Sequence, residues 1–120
     1  MKVVSIEYPV PLNKVSDVLD DNIDVFVTLE DGVTYSVVVF TPKNFISCMD
    51  NNGLDYLPPS PPPIIVRSLT QENIENAILA YAEDNAFWLK VIYLAGGGLS
   101  NFNIEEINKA VRNINEIDVE

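Results

Sequence analysis

Polar and apolar positions alternate from Lys2 to Tyr8, with Val4, Ile6 and Tyr8 on one side and Val3 and Ser5 on the other. That period of two predicts a strand, which Pro9 and Pro11 end. A polar stretch holding Asp17, Asp20, Asp21 and Asp24 follows and is expected to run over the surface. Alternation resumes from Ile23 to Phe40 on both sides of Glu30-Asp31-Gly32. Asp31-Gly32 invites a two-residue turn, but that register opposes Asp24 to Val39 and Val27 to Ser36, mixing the faces. A three-residue loop with Gly32 left-handed aligns Leu29 with Val33, Val27 with Tyr35, Val25 with Val37 and Ile23 with Val39. A one-residue slip would invert every side chain, so segregation of the faces selects the three-residue loop.

Thr41-Pro42 reads as a helix start, a capping hydroxyl followed by a proline that forfeits only an unused N–H. This helix is expected to turn Phe45, Ile46 and Met49 inward and to stop near Asn52-Gly53. After the proline-rich stretch Leu54 to Pro63, Ile64-Ile65-Val66 reads as a buried strand. Leu69, the cap Thr70 and Ile74 have the spacing of a hydrophobic staple. The helix that follows should bury Ile74, Ala77, Ile78, Tyr81 and Ala82, expose Glu72, Glu75 and Asn76, and end at Asp84-Asn85. From Phe87 to Leu94 only Lys90 is polar, so a helix there would be apolar all round. A central strand is the simpler account, with helix continuation as the alternative. Gly96-Gly97-Gly98 breaks the chain before a last helix, opened by Phe102, Asn103 and Ile107, with Glu106 at box-like spacing from Asn103. Its stripe would be Ile104, Ile107, Val111, Ile114 and Ile117. The order β-β-β-α-β-α-β-α predicts an α+β fold, an antiparallel-rich sheet of four to five strands with two to three helices packed on one side. A single domain over residues 1–120 is expected, with 99–120 separable as a C-terminal helix.

Charge changes this picture more than any motif does. Eighteen acidic residues against seven basic ones, with no histidine, leave a net charge of −11 on 120 residues. Such a chain is ill suited to nucleic acid or an anionic membrane, which need Lys and Arg. It suits a cationic partner steered by the opposite field. Lack of histidine removes the usual proton shuttle and the commonest metal ligand. At 48% hydrophobic the acidity is not the mark of a disordered chain. The polar start lacks a secretory pattern, no apolar run approaches a bilayer span, and the single Cys48 fits a reducing compartment, so a cytoplasmic location is expected.

Candidate chemistry is sparse. Asp17, Asp20, Asp21, Asp24, Glu30 and Asp31 flank the first hairpin strand and can form a negative footprint for a basic partner; the plainer account is a solvated loop. Their spacing lacks the alternating ligands of a calcium loop. Glu83-Asp84 and Glu105-Glu106 are adjacent on helices and do not face each other, and acids in a first turn already meet the helix dipole. Cys48 has no histidine base, which favours a structural thiol. The glycine run matches no phosphate-binding fingerprint, and the proline run reads as a rigid surface crossing before it reads as a polyproline ligand. Tyr35, Tyr56, Tyr81, Trp88 and Tyr93 are mostly core candidates; Tyr56, in the irregular segment before the prolines, is the best partner-binding aromatic. No catalytic constellation, metal set or cofactor motif emerges.

With Val27-Thr28-Leu29-Glu30-Asp31-Gly32-Val33-Thr34-Tyr35, Thr41-Pro42-Lys43-Asn44, Ile64 to Val66 and the Asn73 to Leu94 block, about half of the chain resembles small acidic bacterial immunity proteins. The resemblance implies neutralisation of a cognate toxin, often a basic nuclease, by binding. The leading expectation is therefore a non-catalytic inhibitor that occludes a basic toxin or nuclease with Asp17, Asp20, Asp21, Asp24, Glu30, Asp31 and Tyr56. The alternatives are a structural domain forming a homodimer through its C-terminal helix, and an enzyme built on carboxylates alone.

Overall fold

A computed structural model of the chain describes residues 1–96 and 103–118, with side chains as far as Glu116. Strands β1 (Val3–Glu7), β2 (Asn22–Leu29) and β3 (Thr34–Phe40) precede helix α1 (Pro42–Asn52) and the short strand β4 (Ile64–Ile65). Helices α2 (Gln71–Tyr81), α3 (Glu83–Gly96) and α4 (Ile104–Asp118) follow. The sheet runs β1-β2-β3-β4, antiparallel except for the parallel β3–β4 pair. The fold is thus α+β with a mostly antiparallel sheet of four strands.

The hairpin takes the register that face segregation selects. Ile23 pairs with Val39, Val25 with Val37 and Val27 with Tyr35, while the Leu29 N–H donates to the Val33 carbonyl at 3.2 Å. Gly32 has φ +80°, the left-handed geometry that closes a three-residue loop. One face of the sheet therefore buries Ile23, Val25, Val27, Leu29, Tyr35, Val37, Val39 and Ile64. Ile74, Ile78 and Ala82 of α2 and its end, with Ala86, Leu89 and Ile92 of α3, complete the same core.

Four expectations are corrected. In β1 the register slips between Val3 and Ser5, so Val3 opposes Leu29 and Ile6 opposes Val27. This bulge lets Val3 join Ile6 and Tyr8 against the core and turns Val4 to solvent. In α1, Ile46 faces solvent, because the helix packs at its edge through Phe45, whose ring stacks on Phe40 at 5.0 Å. Strand alternation directs Phe40 away from the core face of β3, so α1 buries no side chain fully.

The third correction is the largest: Phe87 to Leu94 is helix, not a central strand. Near the start of α3, Asp84, Asn85 and Ala86 take left-handed backbone angles and turn the chain away from the α2 direction; the short polar side chains of Asp84 and Asn85 tolerate this geometry best. From there onward, Ala86, Leu89 and Ile92 recur three apart and fill the core. The fourth correction follows from the third. Trp88 lies on the outer side of α3 and is 60% exposed, no core residue at all.

Expected helix ends are found where they were placed. Thr41 Oγ1 accepts from the Asn44 N–H at 3.3 Å and Thr70 Oγ1 from the Asn73 N–H at 3.2 Å. Gly53, at φ 64°, closes α1, and the Asn103 carboxamide oxygen accepts from the Glu106 N–H at 2.9 Å to open α4. Ile104, Ile107, Val111 and Ile114 are all exposed; Ile117, the last of the expected stripe, lies outside the described side chains.

Candidate functional site

The segment from Asp17 to Asp24 is a built surface and not a slack loop. Asp17 Oδ1 accepts from the Leu19 N–H at 3.0 Å, and the Asp20 N–H donates back to the Asp17 carbonyl at 3.2 Å. These bonds make a tight turn of the kind a short acidic side chain favours. The Val18 carbonyl accepts from the Leu69 N–H at 2.8 Å, which pins the turn to the approach of α2.

Asp20 ties the segment to α1. Its two carboxylate oxygens accept from Asn44 Nδ2 at 3.0 Å and from Ser47 Oγ at 2.8 Å. Those two hydrogen bonds, with the Lys43 charge nearby, hold its carboxyl below the usual carboxylate range. Asn44 also accepts from Asn22 Nδ2 at 2.8 Å, and the Asp21 N–H points to Thr41 Oγ1 at 3.4 Å. Sequence explains the arrangement: Asn44 and Ser47 are three apart, so they share one side of α1.

Asp17, Asp20, Asp21 and Asp24 are thereby brought to one end of β2. Glu30 and Asp31 are not. The eight residues of β2 put roughly 23 Å between the two groups. At the far end Asp31 has an internal role, accepting from the Val33 N–H at 2.9 Å and from the Tyr35 hydroxyl at 2.8 Å. The backbone bond first and the phenol second lower its pKa. Burial, then the Asp31 bond and charge, push the Tyr35 phenol up to about 12. Glu30 accepts from the Lys2 N–H at 3.0 Å, stapling the loop to β1. Tyr56 is 62% exposed beyond the C-terminal end of α1, the end opposite Asn44.

Sequence reasoning missed the apolar members of this surface. Leu19 and Val18 are exposed beside Asp17 and Asp20. An odd apolar residue in an acidic turn was the available signal. A second exposed region lies elsewhere, where Phe87, Trp88 and Leu94 of α3 face solvent. Cys48 is half-buried and its thiol donates to Asn44 Oδ1 at 3.8 Å, a packing role. Among the described residues no group of three or more Asp, Glu, Cys or His side chains is placed to hold a metal ion. No described helix is long and apolar enough to cross a membrane.

No protein-family model matches the chain, and comparison with curated proteins and with solved structures finds no significant match.

Proposed function

We propose that this protein is a non-catalytic binding protein of the immunity or inhibitor type, which occludes a basic toxin or nuclease with the Asp17–Asp24 segment and α1. One observation carries the reading. Asp20 bonds both Asn44 and Ser47, which holds the segment carrying Asp17, Asp21 and exposed Leu19 against α1, next to Asp24 of β2, before any partner arrives. A surface already ordered loses less entropy on binding. A net charge of −11 supplies the steering field for a cationic partner, and the exposed apolar residues supply contact area. Glu30 and Asp31 contribute to that field from a distance; Tyr56 stands at the rim.

Capture from a lysate of the source cells tests this directly, with washes at low and then high salt. A basic protein should be retained at low salt and released at high salt, since charge-steered association is screened. Its retention should be lost with Asp17→Asn, Asp21→Asn and Asp24→Asn combined, and kept with Glu30→Gln and Asp31→Asn. Association rates that ignore salt, or equal retention by both variants, would remove the proposal.

A further inference from the structure

Most of one edge of β3 is without a neighbouring strand. The hairpin loop sets which backbone groups lie on that edge. The Leu29 N–H donates to the Val33 carbonyl, and Tyr35, Val37 and Val39 follow in step, turning their N–H and C=O groups to β2. Thr34, Ser36, Val38 and Phe40 turn theirs the other way. Strand β4 reaches only the last of these. Its register, Val39 with Ile64 and Phe40 with Ile65, pairs both Phe40 groups and the Val38 carbonyl, and the Val66 N–H donates to the Phe40 carbonyl at 3.0 Å. The Val38 N–H and the backbone groups of Ser36 and Thr34 bond no described residue.

A longer β4 could not fill the gap. Extended backwards in the same register, it would set Pro63 beside Val38, Pro62 beside Val37 and Pro61 beside Ser36. The parallel ladder asks Pro62 for the N–H that the Ser36 carbonyl needs, and proline has none. Pairing therefore starts at Ile64. Between the prolines and α3 lies a cleft of about 340 Å³, lined by Val37, Val38, Pro61, Pro62, Ile92 and Tyr93 and by no charged side chain. A residue added beside Val37 would point to the same face as Val37, where Ile92 and Tyr93 wall the cleft. The sheet's opposite edge is built differently. There β1 has a bulge between Val3 and Ser5, with Lys2 and Glu7 at its ends, and bulges and charges are what keep an edge strand from pairing. Thr34, Ser36 and Val38 are uncharged and unbroken in register.

We propose that this edge of β3, residues 34–38, binds an extended peptide segment of a partner protein, which adds a strand where residues 61–63 cannot and seats one apolar side chain in the cleft. Each feature of the guest is set by a feature of the edge. Backbone donors and acceptors alternating along a strand call for an extended chain, since a helix has already spent its own. The cleft calls for an apolar residue at the one position beside Val37. A net charge of −11 favours a neutral or basic segment over an acidic one, and over a second copy of this chain. No residue of the acidic segment takes part, so the proposal stands or falls apart from the function proposed above.

Amide hydrogen exchange of the full chain, followed by nuclear magnetic resonance, tests this. The probe is a synthetic peptide of about nine residues, threonine and valine alternating between terminal lysines. Without peptide, the Ser36 and Val38 amides should exchange faster than those of Tyr35 and Val37, which β2 holds. Peptide at about 1 mM should slow Ser36 and Val38 about tenfold or more, leave Tyr35 and Val37 little changed, and move the resonances of Ile92 and Tyr93. Methylating the peptide's amides at one alternate set, threonine or valine, should abolish binding, and at the other set should leave it, because only one set faces β3. Ser36→Pro removes an N–H on the open side of the strand and should abolish binding with the circular dichroism unchanged; the methylated peptides decide the matter if that variant unfolds. Unchanged exchange at about 1 mM peptide, or equal binding with either set methylated, overturns the proposal. So does slow exchange of Ser36 and Val38 without peptide. Independent of concentration, it means that the chain fills its own edge; growing with concentration, that a second copy does.

Discussion

Replacing Thr41 tests whether one buried hydroxyl joins the hairpin, α1 and the acidic segment. Thr41 is fully buried, the only buried polar side chain among the described residues. Its Oγ1 accepts from the Asn44 N–H at 3.3 Å and from the Asp21 N–H at 3.4 Å. Valine has the same shape and lacks the oxygen, so Thr41→Val leaves the Asp21 N–H unpaired and the Asn44 N–H on the Thr41 carbonyl alone, at 3.1 Å, without opening a cavity. Loss of the side-chain helix cap costs about 1 kcal/mol, and the unpaired Asp21 donor about as much, both bonds being long. The total is about 2 kcal/mol. Thr41→Ser keeps the oxygen and removes one buried methyl group, at about 1 kcal/mol. Urea unfolding followed by circular dichroism should rank serine above valine with a common m-value, and valine should lower Tm by about 8 °C. Amide exchange at Asp21 should quicken in the valine variant and not in the serine one. A valine variant as stable as wild type, or more stable than the serine one, would refute the reasoning.

Three further outcomes are expected. Leu89→Ala should cost about 2–5 kcal/mol and Phe87→Ala within about 0.5, because a helix separates residues two apart that a strand would align; equal losses in a denaturant titration would contradict the helix. For Tyr35 the folded pKa, about 12, lies above the ordinary value of 10.0, so the folded state holds the proton more tightly. Its contribution is complete below the unfolded pKa and disappears as pH rises through the folded one. An alkaline unfolding limb that Tyr35→Phe flattens is therefore expected by ultraviolet absorbance, and an unchanged limb would contradict it. Tyr8→Phe removes a buried hydroxyl that has no partner among the described residues and should stabilise the chain by about 1 kcal/mol in thermal unfolding, where a loss would show that the hydroxyl is paired.

Legibility followed locality. The hairpin register was readable because Ile23, Val25, Val27 and Leu29 alternate with polar residues and Gly32 supplies the turn. Caps at Thr41, Thr70 and Asn103 were readable because each acts within three residues of itself. The bulge at Val4 was not, since it answers to β2, a strand distant in sequence. The acidic footprint was half readable. Composition shows six carboxylates near one strand, but only the strand's length separates Glu30 and Asp31 from the rest. That Asp20 is bonded to Asn44 and Ser47 depends on where α1 lands, which no local pattern encodes.

Phe87 to Leu94 hides its helix for a physical reason. Periodicity reveals a helix when one side is apolar and the other polar, and α3 has apolar residues on both. Ala86, Leu89 and Ile92 carry the helical period, but Phe87, Trp88, Val91 and Leu94 fill the intervening positions and erase it. A protein that needed only its own core would have no use for the second set, and exposing it lowers solubility. The residues that hid the helix from the sequence are thus the same ones that the single chain leaves uncovered.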